Sequence, residues 1–190
     1  MAGENEWPGK IVVVSGPSGV GKTAIVDRLL ARGTCKRAIT ATTRAPRAGE
    51  QDGVDYFFHT RAAFEAGIQE GEFLEHAEVH GNLYGTPWTP LEKQLRAGHR
   101  VLLNIDVQGA ERLMELGTNA TFVFLLPPSL EELERRLRSR ESDDEAAIQR
   151  RLDNAQGELA RQDRYDHRVV NDDLDRAVEE IAEIVSRLQE

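Results

Sequence analysis

The sequence predicts an α/β fold built on a five-stranded parallel sheet, and three observations carry that expectation. Five apolar or β-branched runs, at residues 11–15, 37–41, 101–106, 120–125 and 168–170, are mostly separated by segments of helical period, the pattern of strands covered by helices. A glycine-rich stretch, residues 16–23, joins the first run to a helix-like segment, 24–30. The chain has 190 residues, a length that suits one well-buried core with inserted subdomains better than two ordinary domains.

Residues 1–9 are polar, carry Gly3, Pro8 and Gly9, and predict a frayed tail. The first strand, Ile11-Val12-Val13-Val14, ends in Gly16-Pro17-Ser18-Gly19-Val20-Gly21-Lys22-Thr23, which fits G-x-x-x-x-G-K-[ST] at every defined position. This P-loop pattern has a physical basis. Its glycines let successive backbone N–H groups face phosphate oxygens, Lys22 reaches β and γ phosphates, and Thr23 completes a Mg²⁺ shell with ATP phosphates and water. A helix opening near Gly21 adds its positive end. The plain alternative is an ordinary strand-to-helix turn, but the apolar run before it and the helical stretch after it are the context the pattern requires.

Residues 42–88 break the alternation. They are rich in glycine and aromatics, with strand-like pieces such as 54–58, and predict a small mixed-sheet insertion. Residues 130–160 are nearly all charged helix formers, with Arg135, Arg136, Arg138, Arg140, Arg150 and Arg151 gathered in a chain that is acidic elsewhere. Arg136 and Arg140 stand four apart, where like charges repel unless an anion joins them. A solvated helix neutralised by Glu131, Glu132, Glu134 and Glu141 is the competing reading. The last helix is the clearest, since Leu174, Val178, Ile181, Val185 and Leu188 recur at helical spacing behind the capping candidates Asn171, Asp172 and Asp173.

The formal net charge of −9 argues against a broad nucleic-acid or anionic-membrane surface. Cys35 is the only cysteine, so no intramolecular disulfide forms, and a small buried filler is its expected role. Neither a membrane-spanning stretch nor a signal-peptide apolar region is present, and a cytoplasmic location follows by default.

The insertion contains Thr42-Thr43-Arg44-Ala45-Pro46-Arg47-Ala48-Gly49-Glu50, then Gly53 and Tyr56, then Glu75, then Gly81-Asn82-Leu83-Tyr84-Gly85-Thr86. With Ile105-Asp106-Val107-Gln108-Gly109, Pro127-Pro128-Ser129, the arginine-rich segment and Asn171-Asp172-Asp173-Leu174, this order resembles the guanylate kinase family of P-loop nucleoside monophosphate kinases. The resemblance runs from Gly9 nearly to the end. It implies a three-layer P-loop core (10–41, 89–129 and 161–190), a GMP-binding region at 42–88 and a helical lid at 130–160. The implied reaction is ATP-dependent phosphorylation of GMP, with dGMP a second acceptor, Mg²⁺ as cofactor, and a monomer or homo-oligomer as the working form.

Residue types support the roles this resemblance assigns. Two arginines three apart can grip a phosphate monoester with forked, charge-assisted hydrogen bonds, and phenols can donate to the same oxygens. By resemblance Arg44, Arg47, Tyr56 and Tyr84 hold the GMP phosphate. Guanine offers N1–H and its exocyclic amine as adjacent donors, which Glu75 can accept together, whereas adenine sets a lone pair against it. Thr40, Thr86 and Asp106 match residues placed around the same ring, and Asn171 matches one near the adenine. Lys22, Arg44, Arg136, Arg140 and Arg151 match the residues that offset charge during transfer, the last three from the lid. Two departures stand out: Asn104 occupies a position where a carboxylate is common, and Glu141 replaces a glycine after the second lid arginine.

His76 and His80 are four apart, but the segment reads as strand and no third ligand presents itself, which disfavours a zinc site. His59, His99 and His167 likewise read as structural. Two rival functions remain: a scaffold that keeps a phosphate grip for phosphopeptides, and a kinase for phosphorylated sugars. Retention of Lys22, Thr23 and the arginine-rich lid argues against the first, and the acceptor-side motifs against the second.

Overall fold

The computed structural model describes residues 7–79, 81–139 and 145–188. Along them run β1 Lys10–Ser15, α1 Lys22–Ala31, β2 Lys36–Arg37, β3 Thr40–Thr42, β4 Tyr56–Phe58, α2 Arg61–Gln69, β5 Phe73–Val79, β6 Asn82–Pro87, α3 Trp88–Arg96, β7 Arg100–Asn104, α4 Val107–Glu115, β8 Ala120–Leu126, α5 Leu130–Arg138, α6 Glu145–Leu159, β9 His167–Val170 and α7 Leu174–Arg187. The strands form a five-stranded parallel sheet, ordered β2-β7-β1-β8-β9, and a separate four-stranded mixed sheet, ordered β4-β3-β6-β5. The chain divides into two compact units. One comprises Lys36–Leu103 and Gln108–Asn119 with the N-terminal segment up to Ile11; the other comprises Val12–Cys35, Asn104–Val107 and the chain from Ala120 onward.

In the second unit Val12, Val13 and Val14 are fully buried, as a β-branched run must be in a parallel strand covered on both faces. Helix α1 buries Ile25, Val26 and Leu29, and α7 buries Ala177, Val178, Ile181 and Val185. Ion pairs Arg28–Asp175 and Arg32–Glu179 tie these helices together on their exposed sides. Such exposed pairs contribute roughly 0–1 kcal/mol each, so the apolar stripes hold the packing. Of the three capping candidates Asp173 is used, accepting the Arg176 N–H at 2.9 Å. Helices α5 and α6 share a smaller core of Leu133, Leu137, Ile148 and Ala155, with Leu152 packed against it.

The first unit contains the mixed sheet. Strand β3 pairs parallel with β4 and antiparallel with β6, and β5 pairs antiparallel with β6. Alternation along these strands gives the sheet two unlike faces. One carries Ala41, Phe57 and Leu83 and buries them with Phe64 of α2 and with Phe73, whose ring stacks on Phe64 at 4.4 Å between centroids. The other carries Thr40, Tyr56, Glu75, Tyr84 and Thr86, by the registers Thr40↔Tyr56, Thr42↔Tyr84, Ala77↔Tyr84 and Glu75↔Thr86. A register shift between Phe73 and Glu75 decides which side each takes. Two residues apart on a regular strand they would share a face; the irregularity sends Phe73 to the apolar cluster and Glu75 to the polar side.

Two sequence expectations are corrected. The run 37–41 is not one strand: β2 pairs with β7, Ala38 N–H still donates to Leu102 O at 2.9 Å, and the chain then passes into β3 of the mixed sheet. The expected tail 1–9 is held at its end. The Trp7 ring lies 6.4 Å from that of Trp88 with the Arg96 guanidinium 4.4 Å over it, and Gly9 N–H bonds Leu95 O at 3.0 Å. Residues 1–6 lie outside the described residues.

Candidate active site

The phosphate-loop pattern sits between β1 and α1, and its conformation follows from its glycines. Gly16, Gly19 and Gly21 have φ of 142°, 87° and 104°, values that side-chain-bearing residues rarely adopt. At Gly19 space is also lacking, since a Cβ there would lie 2.8 Å from Leu137 Cδ2. The Lys22 ammonium donates to the carbonyls of Gly16 and Pro17, at 3.0 Å for the second. Thr23 is exposed on the first turn of α1. A cation, a helix start and a glycine-rich turn are thereby gathered at one place, the composition of an oxyanion site.

Side chains from later in the chain brace this loop. Asn171 is buried, and its Nδ2 donates to Val20 O at 2.7 Å. Arg136 of α5 donates from Nη1 to Val20 O at 3.2 Å and from Nη2 to Asn171 O at 2.9 Å, while Glu132 accepts its Nε at 2.8 Å. Glu132 also takes both forks of Arg135, and this pair of partners holds its carboxyl well below the ordinary range, at about 2. Arg138 is paired with Glu134 and Glu145. The neutralised-helix reading thus describes Arg135 and Arg138, whereas Arg136 reaches the loop. Arg151 is half-buried on α6, and Arg140 lies outside the described residues. Asn104 ends β7 and Asp106 follows it in the same unit as the loop.

Glu158, near the end of α6, is a residue that sequence reasoning passed over. It is half-buried, with Lys22, Asp106, Arg161 and the Ser18 backbone in its electrostatic surroundings. Burial pushes its carboxyl above the usual range; Lys22 opposes that rise and Asp106 adds to it. As one glutamate among many on a charged helix, it carried no signal of its own.

In the other unit the polar face of the mixed sheet assembles most of the acceptor-side candidates. Glu75 and Thr86 are buried opposite one another, and Thr86 Oγ1 donates to Glu75 Oε1 at 2.7 Å. Thr40 is buried on the neighbouring strand. The Tyr56 and Tyr84 rings meet edge to face at 6.4 Å, and Arg44 lies over Tyr56 at 5.4 Å. Burial raises the Tyr56 phenol, Tyr84 adding to the rise and Arg37 and Arg44 opposing it, so it stays protonated and able to donate. The two threonines before Arg44 have structural work. Thr42 Oγ1 donates to Leu83 O at 3.0 Å and accepts Arg44 N–H at 3.1 Å, and Thr43 Oγ1 accepts Leu83 N–H at 2.9 Å.

Arg44 is partly committed. Its Nη2 reaches both Glu50 oxygens, at 2.8 and 2.9 Å, and its Nη1 donates to Ala45 O at 2.6 Å. Glu50 also accepts Arg47 N–H at 2.7 Å. Burial would raise the Glu50 carboxyl, but the Arg44 fork and the Arg47 N–H outweigh it and hold it below its ordinary value. Glu50 is therefore the organiser of this loop; the sequence motif contains it without revealing that role. The Arg47 side chain is exposed.

His76 lies on β5, and His80 is outside the described residues. Among the described residues no group of three or more His, Cys, Asp or Glu could hold a metal ion, and no helix is long and apolar enough to cross a membrane.

Comparison with known proteins adds an independent line. Residues 8–188 match the family model described as guanylate kinase. The chain is 53% identical over 171 residues to a guanylate kinase of Parasynechococcus marenigrum (strain WH8102), covering 90% of this chain and 94% of that protein. It is 48% identical over 189 residues to one from Wolbachia sp. subsp. Brugia malayi (strain TRS), covering 98% and 96%. The crystal structure of guanylate kinase from Anaplasma phagocytophilum superposes with a TM-score of 0.79 at 37% identity, covering 95% of this chain and 86% of that one. The sequence motifs, the two sheets and these likenesses converge, and the chain belongs to the guanylate kinase family.

Proposed function

We propose that the chain catalyses ATP-dependent phosphorylation of GMP to GDP by direct in-line transfer, with dGMP as a second acceptor. The observation that carries this reading is the polar face of the mixed sheet. It sets a buried carboxylate–hydroxyl pair, Glu75 and Thr86, beside Thr40, with the phenols of Tyr56 and Tyr84 and the Arg44 guanidinium at one end. A carboxylate accepts the paired donors of guanine, and a buried carboxylate facing the adenine lone pair is penalised by several kcal/mol, about 10³-fold or more in discrimination. Phenols and guanidinium groups suit a phosphate monoester.

Phosphoryl transfer asks the protein for positioning, charge dispersal and exclusion of water, with little covalent work. Lys22 and the loop N–H groups receive the ATP phosphates, with Asn171 near the adenine. Arg44 and Arg47 steady the acceptor phosphate, whose own oxygen is the nucleophile. Arg136, Arg140 and Arg151 belong to the lid, Arg136 as a brace of the phosphate loop. Thr23, exposed on the first helical turn, is the residue whose hydroxyl would hold Mg²⁺, with nucleotide oxygens and water left to complete its ligands. The ion, when bound with ATP, offsets charge on the β and γ oxygens. A cytoplasmic location without nucleic-acid or membrane partners accompanies this reading, supported by the net charge of −9.

A coupled assay with GMP, dGMP, AMP, UMP and a sugar phosphate tests it. Rapid turnover with GMP, slower turnover with dGMP and none with the others is expected. Equal use of AMP, or turnover of the sugar phosphate alone, would overturn it.

A further inference from the structure

We propose that Asn171 is a positioning residue for the triphosphate: by holding the Val20 carbonyl it aims the Gly21 N–H of the phosphate loop at the anion, so that it acts on ATP through the phosphates rather than through the base. This deepens the reading of residues 16–23 as the ATP site and rests on it.

Asn171 follows directly on β9, and its own backbone is fixed. Its N–H donates to Leu126 O at 2.8 Å, and its carbonyl accepts Arg136 Nη2 at 2.9 Å. The side chain is only 5% exposed, and Nδ2 donates to Val20 O at 2.7 Å. Arg136 Nη1 reaches the same oxygen at 3.2 Å, so both lone pairs of that carbonyl are engaged. The amide also fills the space beside the next residue, since a Cβ on Gly21 would lie 2.4 Å from Nδ2. Asn171 is therefore a rigid strut set against the Val20–Gly21 peptide.

What the strut does follows from the peptide group. In a planar trans unit the C=O and N–H point in opposite directions, and no cis bond occurs among the described residues. Fixing Val20 O therefore fixes the direction of Gly21 N–H. Val20 is fully buried and anchors one side of this unit, but Gly21, at φ 104°, tolerates either sense of rotation on the other. A peptide turned over would show the phosphates a carbonyl oxygen in place of a donor, and a cradle of N–H groups would lose one member to repulsion. Gly21 also begins α1 with no side-chain cap, which leaves the N–H groups of this turn to an anion. Asn171 matches a residue near the adenine, yet the N–H it spends on Val20 O serves the loop. Apparent affinity scales with the fraction of molecules in the binding-competent form, so a donor orientation reduced to a fifth of molecules weakens triphosphate binding about fivefold.

The test is Asn171→Leu in the full chain, which keeps bulk and removes the donor, with Asn171→Ala as second variant. ATP with excess Mg²⁺ and inorganic tripolyphosphate, which carries no base, are titrated calorimetrically, alongside steady-state kinetics and thermal unfolding. Both probes are expected to bind about five- to tenfold more weakly and by the same factor, with KM for ATP rising in step and KM for GMP unmoved. Unchanged affinity in a folded variant overturns the proposal. So does a loss confined to ATP, which assigns the side chain to the base, and so does a parallel decline of GMP and ATP parameters with stability, which makes the residue merely structural. In each of these cases the wild type's own binding of ATP leaves the ATP site intact. If neither variant folds, the wild type decides by NMR: the Asn171 side-chain amide should be protected from solvent exchange and the Gly21 N–H resonance should shift on adding tripolyphosphate, and the lack of either overturns the proposal. No binding of either probe by the wild type overturns both readings together.

Discussion

The two candidate anion sites of this chain are made from different parts of the polypeptide. In the mixed-sheet unit the site consists of side chains standing on one pleated face, with Arg44 anchored by Glu50 and Glu75 by Thr86. In the other unit the loop 16–21 presents backbone, shaped by glycines at positive φ and braced by Asn171 and Arg136. A side-chain site can discriminate among ligands, because each carboxylate or hydroxyl can be mismatched. A backbone site recognises charge and little else, and leaves selectivity to its partner. The unequal division predicts unequal responses to substitution.

The largest expected effect is at the one side chain the backbone site requires. Lys22→Ala should lower kcat by about 10³-fold or more, since charge developing in transfer loses its principal cation, while the affinity for GMP measured calorimetrically stays near wild type. A GMP affinity falling as steeply as kcat would break the division of labour just described. Next is Glu75→Gln. An amide presents an N–H to a guanine donor, so kcat/KM for GMP should fall about 10²- to 10³-fold while that for AMP holds or rises. A GMP-to-AMP ratio unaltered by the substitution would remove Glu75 from base selection.

These two residues also mark how far the sequence could be read. Lys22 and Thr23 were legible because glycine spacing and neighbouring elements reflect a single local conformation. The polar face was legible in its members but not in its assembly. Phe73 and Glu75 stand two apart, and only the register shift opposite Pro87 and Thr86 separates them; a local irregularity of pairing leaves no periodic trace. The run 37–41 misled for a related reason, since apolar continuity does not reveal that the chain changes sheets after Ala38. Glu50, Glu158 and the reach of Arg136 were hidden because each is defined by a partner distant in space or by a loop's own folding.

Smaller effects should distinguish organising residues from contacting ones. Glu50→Gln removes the charge that fixes the Arg44 fork, and KM for GMP should rise about tenfold with kcat nearly retained, the scale of a lost charge-assisted pair. The same interaction has a pH signature. The Glu50 carboxyl is held below its reference value of 4.5 in the folded chain, so its stabilisation is complete above that value and is lost as pH falls through the depressed folded pKa. Amide-exchange protection in residues 44–50, measured relative to the intrinsic rate at each pH, should therefore fall on acidification below about pH 4.5 in the wild type and be insensitive there in the variant. Identical profiles would mean that the ion pair does not order the loop.

The finest distinction concerns Arg136, which bridges Val20 O and Asn171 O with two different nitrogens. Arg136→Lys keeps the positive charge but cannot span both carbonyls, because an ammonium is a single point where a guanidinium is a fork. If the residue acts as a brace, the loss is one uncharged-acceptor bond, worth about 1 kcal/mol or roughly fivefold in KM for ATP, with GMP parameters unmoved. If instead it works mainly as a cation over the transferring phosphoryl group, lysine should largely replace it in binding while kcat falls by an order of magnitude or more. The direction of the kcat–KM split therefore decides whether α5 belongs to the architecture of the backbone site or to its chemistry.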